Sequence, residues 1–351
     1  MGDRKPRRIV ILAAGRLDAF TAKTAAGVIR YRGDEVVAVL APEHAGGDLE
    51  ALLGVGSGIP IIASLTEIDD LRPDTLLIGV ATPGGTLPDA WRGILAEALE
   101  RKMTVLNGLH TMLADDADLA ALARRHGAKI LDVRRPPDDL SVGMGRAADI
   151  ETHVVLTVGS DCNVGKKITA IEITRELRSR HHDAVFVPTG QTGIMIEGRG
   201  IAVDRVIGDF ISGAAERLVL EHKEHDWIIV EGQGAIFHPA YSGVTLGLMH
   251  GACPSAMVLC HQPTRRCLRH TDLAMPSLPH LVAMHEALMA PLRDSSVVGA
   301  SLNCLGLDDA AAAAAVNEAH EALQLPATDV VRFGAASLVD ALLGDRQTPC
   351  A

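Results

Sequence analysis

Short runs of β-branched and aliphatic residues recur along this chain, separated by amphipathic stretches long enough to cross back over a sheet. RIVILA (8–13), EVVAVL (35–40), TLLIGVA (75–81), MTVLN (103–107) and AKILDV (128–133) have the length and composition of strands. AWRGILAEALERK and DADLAALARRHG carry apolar residues at helical spacing between them. Such alternation dictates a parallel sheet, because a parallel neighbour is reached only through a long crossover. From Arg134, the stretch RRPPDDLSVGMGRAAD breaks the periodicity with proline, glycine and charge. A second series follows: THVVLTV (152–158), DAVFVP (183–188), DWIIVE (226–231), SAMVLC (255–260) and SVVGASL (296–302), with helices expected over 165–180, 209–221, 279–292 and 308–323. The expectation is two α/β domains, 1–140 and 141–351, since 351 residues exceed what one core usually serves.

Composition narrows the function classes. Hydrophobic residues make up 48% and charged residues 22%, as in a globular α/β chain, while 3% aromatic residues argue against base stacking. A formal charge of -11 opposes non-specific binding to nucleic acid or to an anionic membrane. The apolar run after the basic start MGDRKPRR is shorter than a secretory core of about 7 to 15 residues and reads as a strand. A soluble, cytoplasmic protein is therefore expected. Cysteines 162, 253, 260, 267, 304 and 350 form no CxxC pair and read as free thiols, and no metal is expected.

The second series opens on a phosphate-loop pattern with a substitution in it. VVLTV, then GSDCNVGKK, then ITAIEITRELRSR is strand, glycine-bearing loop, helix. Backbone N–H groups of such a loop converge on an anion, the helix dipole adds partial positive charge, and Lys166 adds a full one. The candidate phosphate-binding residues are Gly159, Ser160, Asp161, Cys162, Asn163, Val164, Gly165, Lys166 and Lys167. Five residues separate Gly159 from Gly165 instead of four. Lys167 also stands where the strict pattern has the hydroxyl that ligates magnesium. An ammonium cannot coordinate a cation but adds charge for phosphate oxygens. The loop thus favours a phosphate that is bound over one that is transferred.

Other candidates cluster at strand ends. DWIIVE ends on Glu231, in the place where phosphate-loop proteins carry a carboxylate facing the loop; helix capping would also account for it. His238 and Tyr241 offer an acid/base group and a hydrogen-bond donor, or are ordinary loop residues. Gln191 and Thr192, among glycines 190, 193 and 198, follow a strand end where open α/β sheets bind ligands. Asp209 and Glu216, seven apart, share a helix face, as functional carboxylates or, for Asp209, as a helix-dipole partner. His261, Arg265 and Arg266 suit a carboxylate or phosphate, or a solvated helix start. Lys23, after the first strand, and Gly84 and Gly85 fit plain turns or a ligand cleft.

GSDCNVGK, TGQTGIMIEG, GDFISGAAE, EGQGAIFHPAYSGVTLGLMHG and VLCHQPTR, with NGLHTML, DVRRPP and GRLDAFTAKTA, together resemble a bacterial and archaeal family formerly of unknown function. That resemblance implies a Rossmann-like N-terminal domain and a P-loop C-terminal domain similar to dethiobiotin synthetase. Its D-glutamate N-acetyltransferase branch implies acetyl transfer from acetyl-CoA to the amine of a D-amino acid. On this reading the loop holds the CoA phosphates, and Glu231, His238 or Asp209 takes the ammonium proton. Tyr241 or loop N–H groups stabilise the oxyanion, while Gln191, Thr192, Arg265 or Lys23 bind substrate. An ATP-dependent kinase or ligase and a non-catalytic nucleotide-binding module are alternatives the sequence leaves open, as it leaves open assembly into a homo-oligomer.

Overall fold

The computed structural model describes residues 6–18 and 21–344; Ala19, Phe20 and Cys350, noted above, lie outside the described residues. The chain divides into two compact units, Met1–Arg135 with Ile194–Arg199, and Pro136–Gly193 with Gly200–Ala351. Relative to the expected division, residues 136–140 fall with the second unit and 194–199 with the first. No helix among the described residues is long and apolar enough to cross a membrane.

The first unit runs β1 (Ile9–Leu12), α1 (Lys23–Arg32), β2 (Val36–Leu40), α2 (Leu49–Leu53), β3 (Ile61–Ile62), β4 (Thr75–Ile78), α3 (Arg92–Glu100), β5 (Thr104–Asn107), α4 (Ala117–His126) and β6 (Lys129–Asp132). All neighbours pair in parallel, in the order β3-β2-β1-β4-β5-β6. The order reverses across β1, which is buried at every position, as a strand covered on both faces must be. Asp116 caps α4 by accepting from the N–H groups of Asp118 and Leu119, and Gly127, at φ 69°, ends it.

The second unit runs β7 (His153–Gly159), α5 (Lys166–Ser179), β8 (Ala184–Val187), the start of α6 (Gln191–Glu197, counted with the first unit from Ile194 on), α7 (Ile211–Leu220), β9 (Trp227–Val230), α8 (Ser242–Ala252), β10 (Ala256–His261), α9 (Leu278–Met289), β11 (Ser296–Leu302), α10 (Asp309–Leu323), β12 (Ala327–Thr328) and α11 (Ala336–Gly344). Its sheet is also wholly parallel, in the order β12-β11-β10-β7-β9-β8. β7 therefore lies between β9 and β10. The loop after β7 and the chain leaving β9 emerge side by side at the carboxyl edge, where ligands of open parallel sheets bind.

Four elements of this unit escape the sequence reading. β12 is too short to show a pattern, and α6 and α11 are single short helices. α8 is longer but contains Gly243, Gly247 and Gly251, which weigh against helix by propensity. Tertiary packing overrides that weakness. A Cβ on Gly251 would lie 2.1 Å from the Ser212 carbonyl oxygen, and one on Gly247 would lie 2.8 Å from Ile211. The glycines let α8 close directly onto α7, and Leu248, Met249 and Ala252 join the same core as Ala214, Ala215 and Leu218.

A pair of substitutions in one helix isolates this contact. Gly251→Ala forces α7 and α8 apart and costs about 1–3 kcal/mol of unfolding free energy. Gly243→Ala, with nothing within 4 Å of its Cβ, gains about 0.5–1 kcal/mol from helix propensity. Urea unfolding followed by circular dichroism reads both.

Candidate functional site

The loop from β7 to α5 is shaped by two residues with left-handed backbone. Gly165 at φ 109° precedes the helix, in a conformation that a side chain would strain, and Asn163 at φ 55° tolerates the region better than most residues. The Lys166 ammonium is buried and donates to the carbonyls of Asp161 and Gly234, both at 2.8 Å. It thereby stitches the loop to the turn after β9. Burial pushes its pKa down, opposed by Cys260, Cys162, Asp161 and Glu231 nearby. Gly159 leaves it room, since a Cβ there would sit 2.8 Å from the Lys166 Nζ.

Glu231 follows β9 directly and is buried. Its Oε2 accepts from the N–H groups of Thr189 and Gly190, each at 3.2 Å, and its own carbonyl accepts from the Thr189 hydroxyl at 2.5 Å. Burial raises its pKa to about 7, against the pull of Lys167 and the two N–H groups, with Asp204 adding to the rise. The space around this carboxyl is made by glycine. A Cβ on Gly193 would lie 2.3 Å from Oε2, and one on Gly190 would lie 3.3 Å from Oε1 and 2.3 Å from the Gln233 amide nitrogen. Lys167, in the first turn of α5, takes the place of a magnesium-ligating hydroxyl and puts its charge on Glu231.

A third segment, residues 262–270 after β10, is strapped to the loop through Asp161. Burial alone would raise the Asp161 pKa, but Arg265 and the N–H groups of Arg269 and Cys162 outweigh it and hold the carboxyl below its ordinary value. Arg265 donates to Asp161 Oδ2 and to the Cys162 carbonyl, both at 2.7 Å, and to Gln262. The Arg269 N–H donates to the same Oδ2 at 2.7 Å. From the other side, His238 Nε2 meets the Arg269 carbonyl at 2.8 Å, while its Nδ1 accepts from the Ala240 N–H at 3.1 Å. That pair of partners fixes the neutral tautomer with the proton on Nε2. His261 Nδ1 meets the Ser160 hydroxyl at 2.9 Å, and burial, with Arg265, lowers its pKa to about 4.

These contacts sort the residues singled out from the sequence. Gly159 to Lys167, Glu231, Gln191 and Thr192 lie at one carboxyl edge, Thr192 buried and Gln191 half-buried at the start of α6. His238 is adjacent, but both ring nitrogens are engaged, so it ties the strap and has no lone pair for a substrate proton. Arg265 likewise has its charge matched by Asp161, which ties the strap to the loop. Asp209 is exposed in a short turn before α7, whereas Glu216 is buried, paired with Arg146 at 2.7 Å and accepting the N–H groups of Met144 and Arg146. The two do not act together, and Glu216 pins the 144–146 segment to α7. Tyr241, partly exposed, places its ring 4.5 Å from that of His238. Lys23 begins α1 in the first unit.

Asp161, Cys162 and His238 bring a carboxylate oxygen, a thiol and a ring nitrogen within 4.8 Å of one another. The carboxylate and the imidazole already hold the strap. Burial and Asp161 raise the Cys162 pKa, so its thiol stays protonated. Sequence reading missed the inward role of Asp161, the anchoring of Arg269 and the N–H pair of Thr189 and Gly190. Only the last had a local signal, a Thr-Gly step directly after a strand.

Residues 141–339 match the family described as a domain of unknown function, DUF1611_C, a P-loop domain, and residues 42–136 match DUF1611_N, a Rossmann-like domain. A protein of Tritonibacter scottomollicae named D-glutamate N-acetyltransferase is 39% identical over 93% of this chain and 95% of its own length. One of the same name from a Pseudoalteromonas species is 37% identical over 79% of this chain and 83% of its own. The crystal structure of a DUF1611 family protein from Anabaena variabilis superposes with a TM-score of 0.92 at 36% identity, covering 96% of this chain and 99% of that one. The chain is a member of the DUF1611 family, with a Rossmann-like N-terminal domain and a P-loop C-terminal domain.

Proposed function

We propose that this protein transfers an acetyl group from acetyl-CoA to the amine of D-glutamate. The observation that carries the reading is the 39% identity, over 93% of the chain, to a protein named for that acetyl transfer. The site geometry supports it. A loop that keeps its anion-holding backbone and has lysine in place of the magnesium hydroxyl suits the diphosphate of CoA, which is held and not cleaved. Such a donor goes with the cytoplasmic setting expected from the sequence, and the partner is a small molecule.

Glu231 is the proposed base. A carboxyl with a pKa of about 7 is half ionised near neutrality and can accept a proton without being too weak a base. It takes one proton from the substrate ammonium. The freed amine attacks the thioester carbonyl, forming the C–N bond. Collapse of the tetrahedral intermediate breaks the C–S bond, and the departing thiolate takes the second nitrogen proton. Loop N–H groups and the Tyr241 hydroxyl are the candidate donors to the oxyanion, each worth about 3 kcal/mol in other acyl transfers. The loop thiol is not needed in this scheme, and its raised pKa speaks against a covalent carrier.

Thiol release from acetyl-CoA, measured across D- and L-amino acids, tests the assignment: D-glutamate is expected to give the highest kcat/KM. Background rates with D-glutamate, or magnesium-dependent ATP turnover in place of thiol release, would overturn it. Activity of the native protein should rise with pH through about 7, and Glu231→Gln should lower kcat by about 10²–10⁴-fold with that limb removed.

The same carboxyl sets a stability signature. Because its folded pKa lies above the ordinary value of 4.5, the folded state retains a proton that the unfolded chain has released between pH 4.5 and about 7. This contribution is complete below pH 4.5 and is lost as pH rises through 7, a fall of about 3 kcal/mol. In Glu231→Gln that part of the decline should vanish, as read by urea unfolding at pH 5 and pH 8.

A further inference from the structure

We propose that Arg269 binds the 3′-phosphate of coenzyme A and thereby distinguishes acetyl-CoA from thioesters that end in an unphosphorylated ribose. The inference rests on acetyl-CoA being the donor. The nucleotide end of coenzyme A differs from a plain adenosine diphosphate by this phosphomonoester, a group near two negative charges at neutral pH, held one sugar away from the diphosphate. A site for it needs a cation beside the phosphate loop, fixed in place and not already neutralised.

Arg269 meets each requirement. Its backbone is anchored from two directions by buried side chains, with its N–H on Asp161 Oδ2 at 2.7 Å and its carbonyl on His238 Nε2 at 2.8 Å. Asp161 and His238 flank the loop residue Cys162, so the anchored backbone lies against the loop itself. The guanidinium is near enough to act on the Cys162 thiol. Among the described residues it makes no ion pair with a carboxylate; its side-chain contact is from Nε to the ring of His270 at 3.1 Å.

Three of the neighbouring cations are already committed, while Arg266 is exposed, with its carbonyl accepting from the Met275 N–H and not tied to Asp161 or His238. Arg265 is paired with Asp161, Lys166 is turned onto two carbonyls, and Lys167 faces Glu231. Arg269 is a surplus cation in a chain of net charge -11, held near the end of the strap against Asp161 and Cys162 of the loop. A guanidinium offers two parallel N–H groups to a phosphate, which a lysine cannot reproduce.

The test compares acetyl-CoA with acetyl-3′-dephospho-CoA as donors to D-glutamate. The native protein should show a KM about 10-fold or more lower for acetyl-CoA, the range of a charge-assisted hydrogen-bonded pair. Arg269→Gln should raise the acetyl-CoA KM to the level of the dephospho donor while leaving the dephospho KM and both kcat values within about 2-fold. Adenosine 3′,5′-bisphosphate titrated calorimetrically should likewise bind the native protein more tightly than adenosine 5′-phosphate, with the difference lost in the variant. The anchoring bonds of residue 269 are made by its backbone, so the variant keeps them; an unchanged melting temperature checks this, and Arg269→Lys, keeping charge without the fork, should fall between. Equal use of both donors by the native protein overturns the assignment of Arg269 and leaves the donor reading intact. If neither thioester donates, the donor reading fails and the assignment fails with it.

Discussion

The site depends on one close approach between two strands. Where β9 ends, Gly232 comes so near β7 that a Cβ on it would lie 1.6 Å from the Thr157 carbonyl oxygen, and its N–H donates to the Thr157 hydroxyl at 2.9 Å. No other residue type fits there without parting the strands. With that contact in place, Glu231 on one side of Gly232 is carried under the loop. Gly234 on the other side, at φ 68°, turns its carbonyl onto Lys166. The loop, the carboxyl and the lysine are thus positioned by backbone packing before any side-chain chemistry is considered.

Around that frame the charges are arranged so that few are left unbalanced. Two carboxyls are buried within one small region, and burial alone raises the pKa of both. They resolve it oppositely. Asp161 receives a guanidinium and two backbone N–H groups and stays ionised, as a structural anion. Glu231 receives two longer N–H contacts and the more distant charge of Lys167, and its pKa settles near neutrality. The difference follows from geometry: a direct ion pair at 2.7 Å offsets desolvation where a charge acting through space does not. Environments that separate two carboxyls in this way are how sites assign one to structure and another to proton transfer.

How much of this was legible in the sequence follows from the range of each interaction. The long strands and the helices α5, α7, α9 and α10 were legible, because β-branched runs and 3.6-residue periodicity are local. The two-residue strands β3 and β12 and the glycine-bearing α8 were not, because they exist by virtue of neighbours distant in sequence. The same line runs through the site. Glu231 could be picked out since a carboxylate ending a strand beside a phosphate loop is a local pattern. For Arg265 and His238 the sequence leaves open a substrate role or an ordinary structural one, because the partners that engage them lie 104 and 31 residues away in sequence. Residue type announces what a side chain can do; only the fold shows whether its hydrogen-bonding capacity is already taken.

That distinction bears on the two nucleophiles at the site, the loop thiol and the substrate amine of the proposed reaction. A cysteine in a phosphate loop beside a histidine has the look of an acyl carrier, because an imidazole that accepts the thiol proton would generate a thiolate. Here the imidazole is spent on the strap, the thiol is partly buried, and the charge acting most strongly on it is the anion of Asp161, so ionising Cys162 would place a second negative charge against the first. In the proposed reaction the amine of the substrate faces no such penalty, since its ammonium is a cation that the carboxylate of Glu231 would attract and then deprotonate. Under the proposed reaction, burial and the anion that locks the strap in place together keep the loop thiol silent, and direct attack by the amine is the route the electrostatics favour.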